Sequence, residues 1–343
     1  MKSLPSVSVV IACFNSQRTI DKTLASIKAQ KYPRQKVEII IADGGSTDQT
    51  EHIARRYGAR WVDVDKNLQS AEYNKAVGIS QATGDIIAMI DHDNVLPNFL
   101  WLSRMVQPFV DDPSIVGAET LRYMYVSDAP LLDRYFALFG SGDPVVWYLG
   151  KTDRLSYMYD QYRLSGTVIR KKPYYVVRFT EENMPTIGAN GFLVRRDILM
   201  KYAYTKPGEY FDMDVNIDLI RSGHNTYAFV DEGIIHNTGY GSVWYYFARR
   251  MLFMRQYHVS NVPVSVGRRF HMVSGRNIPQ LMWAIVASIS IVVPLFESIR
   301  GWRKVRDPAW FLHPVMAVGF VFTYAWVIIE HRYRSYAATI LGK

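Results

Sequence analysis

Cysteine is almost missing from this chain, Cys13 being its single thiol. One thiol excludes an internal disulfide and any zinc cluster, and fits a reducing compartment. Internal repeats and low-complexity tracts are absent as well, which leaves no repeat architecture to consider. Acidic residues are in deficit, 31 against 40 lysines and arginines, for a formal charge of +9. That balance suits an anionic partner: substrate phosphate, nucleic acid or acidic headgroups. No nucleic-acid-binding motif accompanies it, so no nucleic-acid partner is expected. Ahead of Val7–Ala12, an apolar run too short for a signal peptide, no targeting pattern stands. A catalytic part facing the cytoplasm is therefore expected.

What is present is apolar material, 49% of 343 residues, enough for one large α/β domain and an appendage. Short β-branched runs alternate with amphipathic stretches. Strands are predicted at Val7–Ala12, Val37–Ala42, Trp61–Val64 and Asp85–Ile90. Helices are predicted over Thr19–Gln30, from a cap at Ser46 or Thr47 through Tyr57, over Ser70–Ala82 and over Asn98–Val110. This rhythm predicts a mostly parallel central sheet flanked by helices, with ligands at the carboxyl ends of the strands. Asn15, Asp43 and the Asp91–His92–Asp93 cluster all follow strand ends, so they can converge.

Asp91 and Asp93 carry the sharpest chemical signal. Two carboxylates at i and i+2 after a buried strand can point to one side of an extended chain. Left alone they repel, and a divalent cation removes the conflict. Oxygen ligands favour Mg²⁺ or Mn²⁺, ions that bridge to a diphosphate.

The segments Val9–Asn15, Ile41–Asp48 and Ile90–Asp93, in this order and spacing, resemble the signature of family 2 glycosyltransferases. The resemblance spans roughly residues 5 to 240 and implies a GT-A fold. It also implies inverting transfer from a nucleotide-diphosphate sugar. On the family's pattern, Ala12 and Asn15 line the nucleoside pocket, Asp43 bonds the base and Ser46 belongs to the same loop. Asn67 and Asn74 match the helix start beside nucleotide and sugar, Asp91 faces the ribose and sugar, and Asp93 holds the metal. Asn190, in Gly188–Arg196, matches the segment lining sugar and acceptor. Counting back from Gly223 puts Asp212 in the place of the family's general base, although Phe211 stands where the family has Glu; Asp214 is the second candidate, and both can equally cap a helix. His236 matches a histidine that coordinates the metal in many relatives. The Gln-x-x-Arg-Trp sequence of processive synthases is absent, which favours adding one residue. A rival is a polyprenyl-phosphate glycosyltransferase with a phosphate acceptor; another is a catalytically silent membrane scaffold.

From the residues alone, Asp43 between a strand and a glycine pair can accept from a base N–H or tie a tight turn. Residues 237–242 can form a mobile lid. Arg249 and Arg250, on a helix with Trp244 and Tyr245, can clamp a diphosphate or face headgroups.

The aromatic stretch 121–186 is expected as an acceptor-side insertion or cover, and 241–278 as an amphipathic, membrane-proximal region. Residues 279–343 hold two apolar segments, Leu281–Phe296 and Ala309–Ile329, joined by Arg300, Arg303, Lys304 and Arg306. They predict a membrane-associated helical hairpin, spanning or interfacial, because the basic link conflicts with a simple crossing. A lipid-linked, membrane-embedded acceptor follows from their place directly after the catalytic part.

Overall fold

The computed structural model describes residues 3–259, 267–273 and 277–340, so part of the membrane-proximal region 241–278 lies outside the described residues. The chain runs through β1 (Val7–Cys13), α1 (Ile20–Lys28), β2 (Val37–Asp43), α2 (Thr50–Arg56), β3 (Arg60–Asp63), α3 (Ala71–Ser80) and β4 (Ile86–Met89). A two-residue β5 (Asn94–Val95), α4 (Trp101–Asp111) and β6 (Gly117–Tyr123) follow. Next come α5 (Leu131–Phe139), α6 (Pro144–Tyr148), β7 (Thr167–Arg170), β8 (Tyr175–Arg178), β9 (Phe192–Arg195), α7 (Arg196–Tyr202), α8 (Asp212–Arg221) and β10 (Thr226–His236). After β10 the described α-helices are α9 (Val243–Met254), α10 (Ile278–Ser290), α11 (Val292–Lys304) and α12 (His313–Ile340).

One sheet gathers the strands in the order β3-β2-β1-β4-β9-β6-β10-β8-β7, with β5 paired to β10. The run β3-β2-β1-β4 is parallel, as expected. Beyond it the sheet is mixed, because β9 lies antiparallel between β4 and β6.

Alternation along each strand explains why the first strands read as unbroken apolar runs. Val7, Val9 and Ile11 join Ile39, Ile41, Ile86 and Ala88 in a core on one face, with α1 and α4. Val10, Ile40, Ile87 and Met89 join α3 and α8 on the other. A strand covered by helices on both sides has no polar face to show. Each fully buried aliphatic side chain adds about 1.5–3 kcal/mol.

Two boundaries depart from expectation. α2 begins at Thr50, not after a cap at Ser46 or Thr47, because the Ser46 hydroxyl is engaged by Asp43. The segment Leu281–Phe296 is no single helix: α10 and α11 meet at Ile291, with φ +59°, and diverge by 79°. Among the described residues, the stretch Pro308–Arg334 alone is one unbroken helix long and apolar enough to cross a bilayer. A third core joins α5, including Tyr135 and Phe139, to Trp310, Met316 and Phe320.

Candidate active site

The carboxyl ends of β1 and β2 are in register, Cys13 opposite Asp43. The Asp43 carboxylate folds onto its own turn. It accepts from the N–H groups of Gly45 at 2.8 Å and Ser46 at 2.6 Å and from the Ser46 hydroxyl at 2.5 Å. Ser46 Oγ accepts in turn from the Asn15 N–H at 2.7 Å, and Asn15 Oδ1 from the Thr47 N–H at 2.9 Å. Asp43, Ser46 and Asn15 thus form one prebuilt loop at the end of the strand that carries Ala12. Asn74, in the first turns of α3, donates to the Cys13 carbonyl at 3.2 Å, while its Oδ1 is buried without a partner. A buried acceptor left open is suited to a ligand N–H or O–H. Asn67 is exposed in the turn before α3, its N–H donating to Asp65.

The second group is drawn together by β5. Its antiparallel pairing puts Asn94 opposite His236, and the Asn237 N–H donates to the Asp93 carbonyl at 2.9 Å. Asp93 Oδ2 then lies 3.4 Å from His236 Nε2, with Tyr123 stacked on the imidazole at 5.6 Å. Burial alone would lower the His236 pKa, but Asp93 outweighs it and holds the imidazole above its ordinary value. Burial likewise opposes ionisation of Asp93, yet His236 keeps its carboxyl below the usual range. A carboxylate oxygen and an imidazole nitrogen at this separation fit two ligands of one divalent ion. Among the described residues no group of three or more such side chains is placed to hold an ion. Asp91, expected beside the ion, reaches Lys75 Nζ at 3.8 Å.

Asn94 was missed from the sequence. It is fully buried: Oδ1 accepts from the Asp91 N–H at 2.9 Å, and Nδ2 reaches Asp93 Oδ1 at 3.3 Å and Asn190 Oδ1 at 3.0 Å. Asn190 itself is held with φ +53°. Arg154, from the 121–186 region and wholly buried, holds the Asn190 carbonyl at 2.8 Å and pairs with Glu119 at 2.7 Å and Asp153 at 2.8 Å. Its only sequence signal was a charge inside an aromatic stretch.

Asp212 opens α8 and is buried. Its carboxylate accepts from Lys75 Nζ at 2.5 Å and from the Tyr210 hydroxyl at 2.6 Å, and its N–H donates to Glu72 at 3.1 Å. Glu72 thereby supplies the cap that Phe211 lacks. Burial pushes the Asp212 pKa up, and Lys75 and Tyr210 pull against it; the balance lies above the usual carboxylate range. Gly188 presses on this turn: at φ +132°, a Cβ there would stand 2.8 Å from the Asp212 carbonyl. Asp214 has a different task. Fully buried, it accepts from the N–H groups of Arg269 at 3.0 Å and Phe270 at 2.7 Å and from Arg268 at 3.3 Å. That ties residues 267–270 to α8 and leaves it poorly placed as a base.

Beyond His236 opens a cavity of about 250 Å³, lined by Thr238, Tyr240, Tyr246, Arg249, Arg250 and Phe253 among others. Arg249 is exposed at its edge. Arg250, expected to clamp a diphosphate, instead pairs with Asp143 at 3.1 Å and donates to the Tyr324 hydroxyl at 2.9 Å.

The family model described as Glycosyl transferase family 2 matches residues 8–202. Glycosyltransferase AglE of Haloferax volcanii is 29% identical over 137 residues, which are 39% of this chain and 45% of that protein. Succinoglycan biosynthesis protein ExoA of Rhizobium meliloti is 30% identical over 118 residues, 33% of this chain and 34% of that protein. The matched stretch thus spans less than half of either relative. Among solved structures, the mannosyltransferase PcManGT from Pyrobaculum calidifontis, in complex with GDP-Man and Mn²⁺, superposes with a TM-score of 0.54 at 15% identity. The alignment covers 96% of this chain and 88% of that one.

Proposed function

This chain belongs to glycosyltransferase family 2 with the GT-A fold, and from that premise we propose that it transfers one sugar, with inversion, from a nucleotide-diphosphate sugar to a hydroxyl of a membrane-associated, lipid-linked saccharide. Residues 1–240, with 267–272 returning to α8 and the sheet's core, are assigned to catalysis, and the helices that follow to the membrane surface, on its cytoplasmic side.

The observation that carries this reading is Lys75, whose ammonium touches Asp212 at 2.5 Å and approaches Asp91 at 3.8 Å. The candidate base and the acidic pair at the strand tips are one side chain apart. Asp93 and His236 would hold Mn²⁺ or Mg²⁺, which when bound offsets the charge of the departing diphosphate. The prebuilt Asn15–Asp43–Ser46 loop seats the nucleoside, and the open Asn74 acceptor meets a donor on it. Asn190, propped by Asn94 and Arg154, faces the sugar. Asp212, ionised against Lys75, takes the proton of the acceptor hydroxyl as that oxygen bonds to the anomeric carbon. The bond from carbon to diphosphate oxygen breaks on the opposite face, and the nucleoside diphosphate leaves with the electron pair. A raised carboxyl pKa serves such a base, since proton transfer is most efficient near the working pH.

A second reading, a phosphate-bearing acceptor, draws on Arg249 at the edge of the cavity beside His236. Asp212→Asn separates the two. With purified protein, a panel of nucleotide sugars, Mn²⁺ and a membrane lipid extract, release of nucleoside diphosphate is measured. A hydroxyl acceptor predicts a loss of about 10²–10⁴-fold. A phosphate is already ionised at neutral pH, so retained turnover would overturn the hydroxyl reading.

A further inference from the structure

We propose that α10, α11 and α12 do not cross the membrane but lie in one leaflet of an anionic bilayer, all on the side of the catalytic domain. The inference is independent of the reaction just described.

The first observation is where the α10–α11 pair begins and ends. At its start, Asn277 Nδ2 donates to the Met272 carbonyl at 2.9 Å, and Met272 packs on the sheet's own core. At its end, Lys304 pairs with Asp160 at 2.5 Å, and Asp307 accepts from Arg134 at 2.7 Å and Tyr125 at 2.6 Å. Both ends are fastened to the catalytic domain. The basic link that a crossing would carry to the far side is therefore on the near side. Each helix has 13 residues, about 20 Å at the helical rise, too short for a hydrocarbon core of about 30 Å. With the 79° break at Ile291, the pair enters and returns.

The second observation concerns α12, which has the length to cross. It runs alongside α9 in the same direction: Phe320 meets Tyr246 and Phe247, Tyr324 meets Arg250, and Glu330 pairs with Arg255 at 2.7 Å. α9 is tethered at both ends. It follows the His236 strand, and just beyond it Tyr257 packs on Phe211, beside Asp212. A helix bound along a strap that returns to the active site cannot depart along the membrane normal.

The chemistry of the outer face identifies its occupant. Trp283, Val286, Val292 and Phe296, with Phe322 and Trp326 of α12, are 54–71% exposed. Exposed arginines flank them at 300, 303 and 306. An apolar face with tryptophans and a basic border fits acyl chains under acidic headgroups.

The test uses the full chain with single cysteines at the exposed positions Lys28, Arg303 and Tyr333. Cys13 is buried, so the unaltered chain sets the baseline. An impermeant maleimide is applied to sealed membrane vesicles of both orientations from expressing cells. Arg303→Cys and Tyr333→Cys should label in the same orientation as Lys28→Cys and to the same extent. Labelling of either from the opposite side overturns the proposal. A dye on Val292→Cys, with phosphatidylglycerol-containing liposomes, should be quenched by acyl-brominated lipid and not by iodide. Quenching by iodide overturns the bilayer assignment, as does protection from both quenchers in a dimer, which would give the face to a second copy.

Discussion

Replacing Lys75 with methionine keeps the volume of its stem and removes the cation drawn up against Asp212 at 2.5 Å and against Glu72 and Asp91 at 3.8 Å. An opposite charge at such range lowers a carboxyl pKa by about 1–3 units. Without it Asp212, already raised by burial, rises further and is protonated over a wider span of pH. The acidic limb of kcat/KM should therefore move up by about 1–3 pH units. Stability should fall too, since removing one partner of a buried pair costs about 3–5 kcal/mol. The sign of its pH dependence follows from the same groups. Carboxyls whose folded pKa lies above the unfolded value favour the folded state at low pH and lose that contribution as pH rises through the folded pKa. Glu72 and Asp212 are both of this kind, through burial first. The deficit of Lys75→Met in Tm should accordingly shrink in acid and widen toward neutral pH. Nucleoside diphosphate release across pH gives the limb, and scanning fluorimetry at each pH gives Tm. Lys75→Arg should restore the limb. An unmoved limb in a folded Lys75→Met protein would refute the claim that Lys75 sets the ionisation of the base.

His236→Ala should raise the Mn²⁺ concentration for half-maximal turnover by at least about tenfold, since even groups behind metal ligands cost that much; calorimetric Mn²⁺ titration checks the loss without turnover. Asn94→Ala should cost about 1–3 kcal/mol of stability through the Asp91 N–H and Asn190 oxygen it strands, and lower kcat more than it raises KM for the donor. Asn94→Asp, which keeps an acceptor for the Asp91 N–H but sets a like charge near Asp93, should recover stability at low pH only.

Legibility followed the range of the interaction. The strand–helix alternation rests on local periodicity, and β1, β2 and β4 fall within a residue or so of the expected runs. The acidic tips were legible because a strand end is a local event that fixes where the next polar residue points. What escaped was set elsewhere. The cap expected from Ser46 is pre-empted by Asp43, whose own hydrogen bonds close the turn. Asp214 looks like a base candidate until residues 267–270 return to occupy it. Arg250 looks free for a diphosphate until Asp143 and Tyr324, 107 and 74 positions away, arrive. The apolar run 281–296 gives no local sign that Ile291 takes a positive φ.

Contacts between residues far apart in the chain also keep the site in shape. Lys75 with Asp212, Arg154 with Glu119, and Arg250 with Asp143 are ion pairs whose arginine or lysine is at most half-exposed and whose acid is buried. Such pairs add little net stability against an apolar core of equal volume, but separating one leaves a buried charge without a partner. They therefore act less as glue than as locks on position. The first fixes α8 against α3, the second fixes the Asn190 loop against the 121–186 region, and the third fixes α9 against α6 and α12. An apolar contact tolerates sliding by an ångström, whereas a charge pair at 2.5–3.1 Å does not, and a displacement of about 1 Å at reacting groups can cost about 10²-fold in rate. Substituting a whole pair by apolar residues, unlike removing one partner, should thus leave Tm nearly unchanged and still lower kcat.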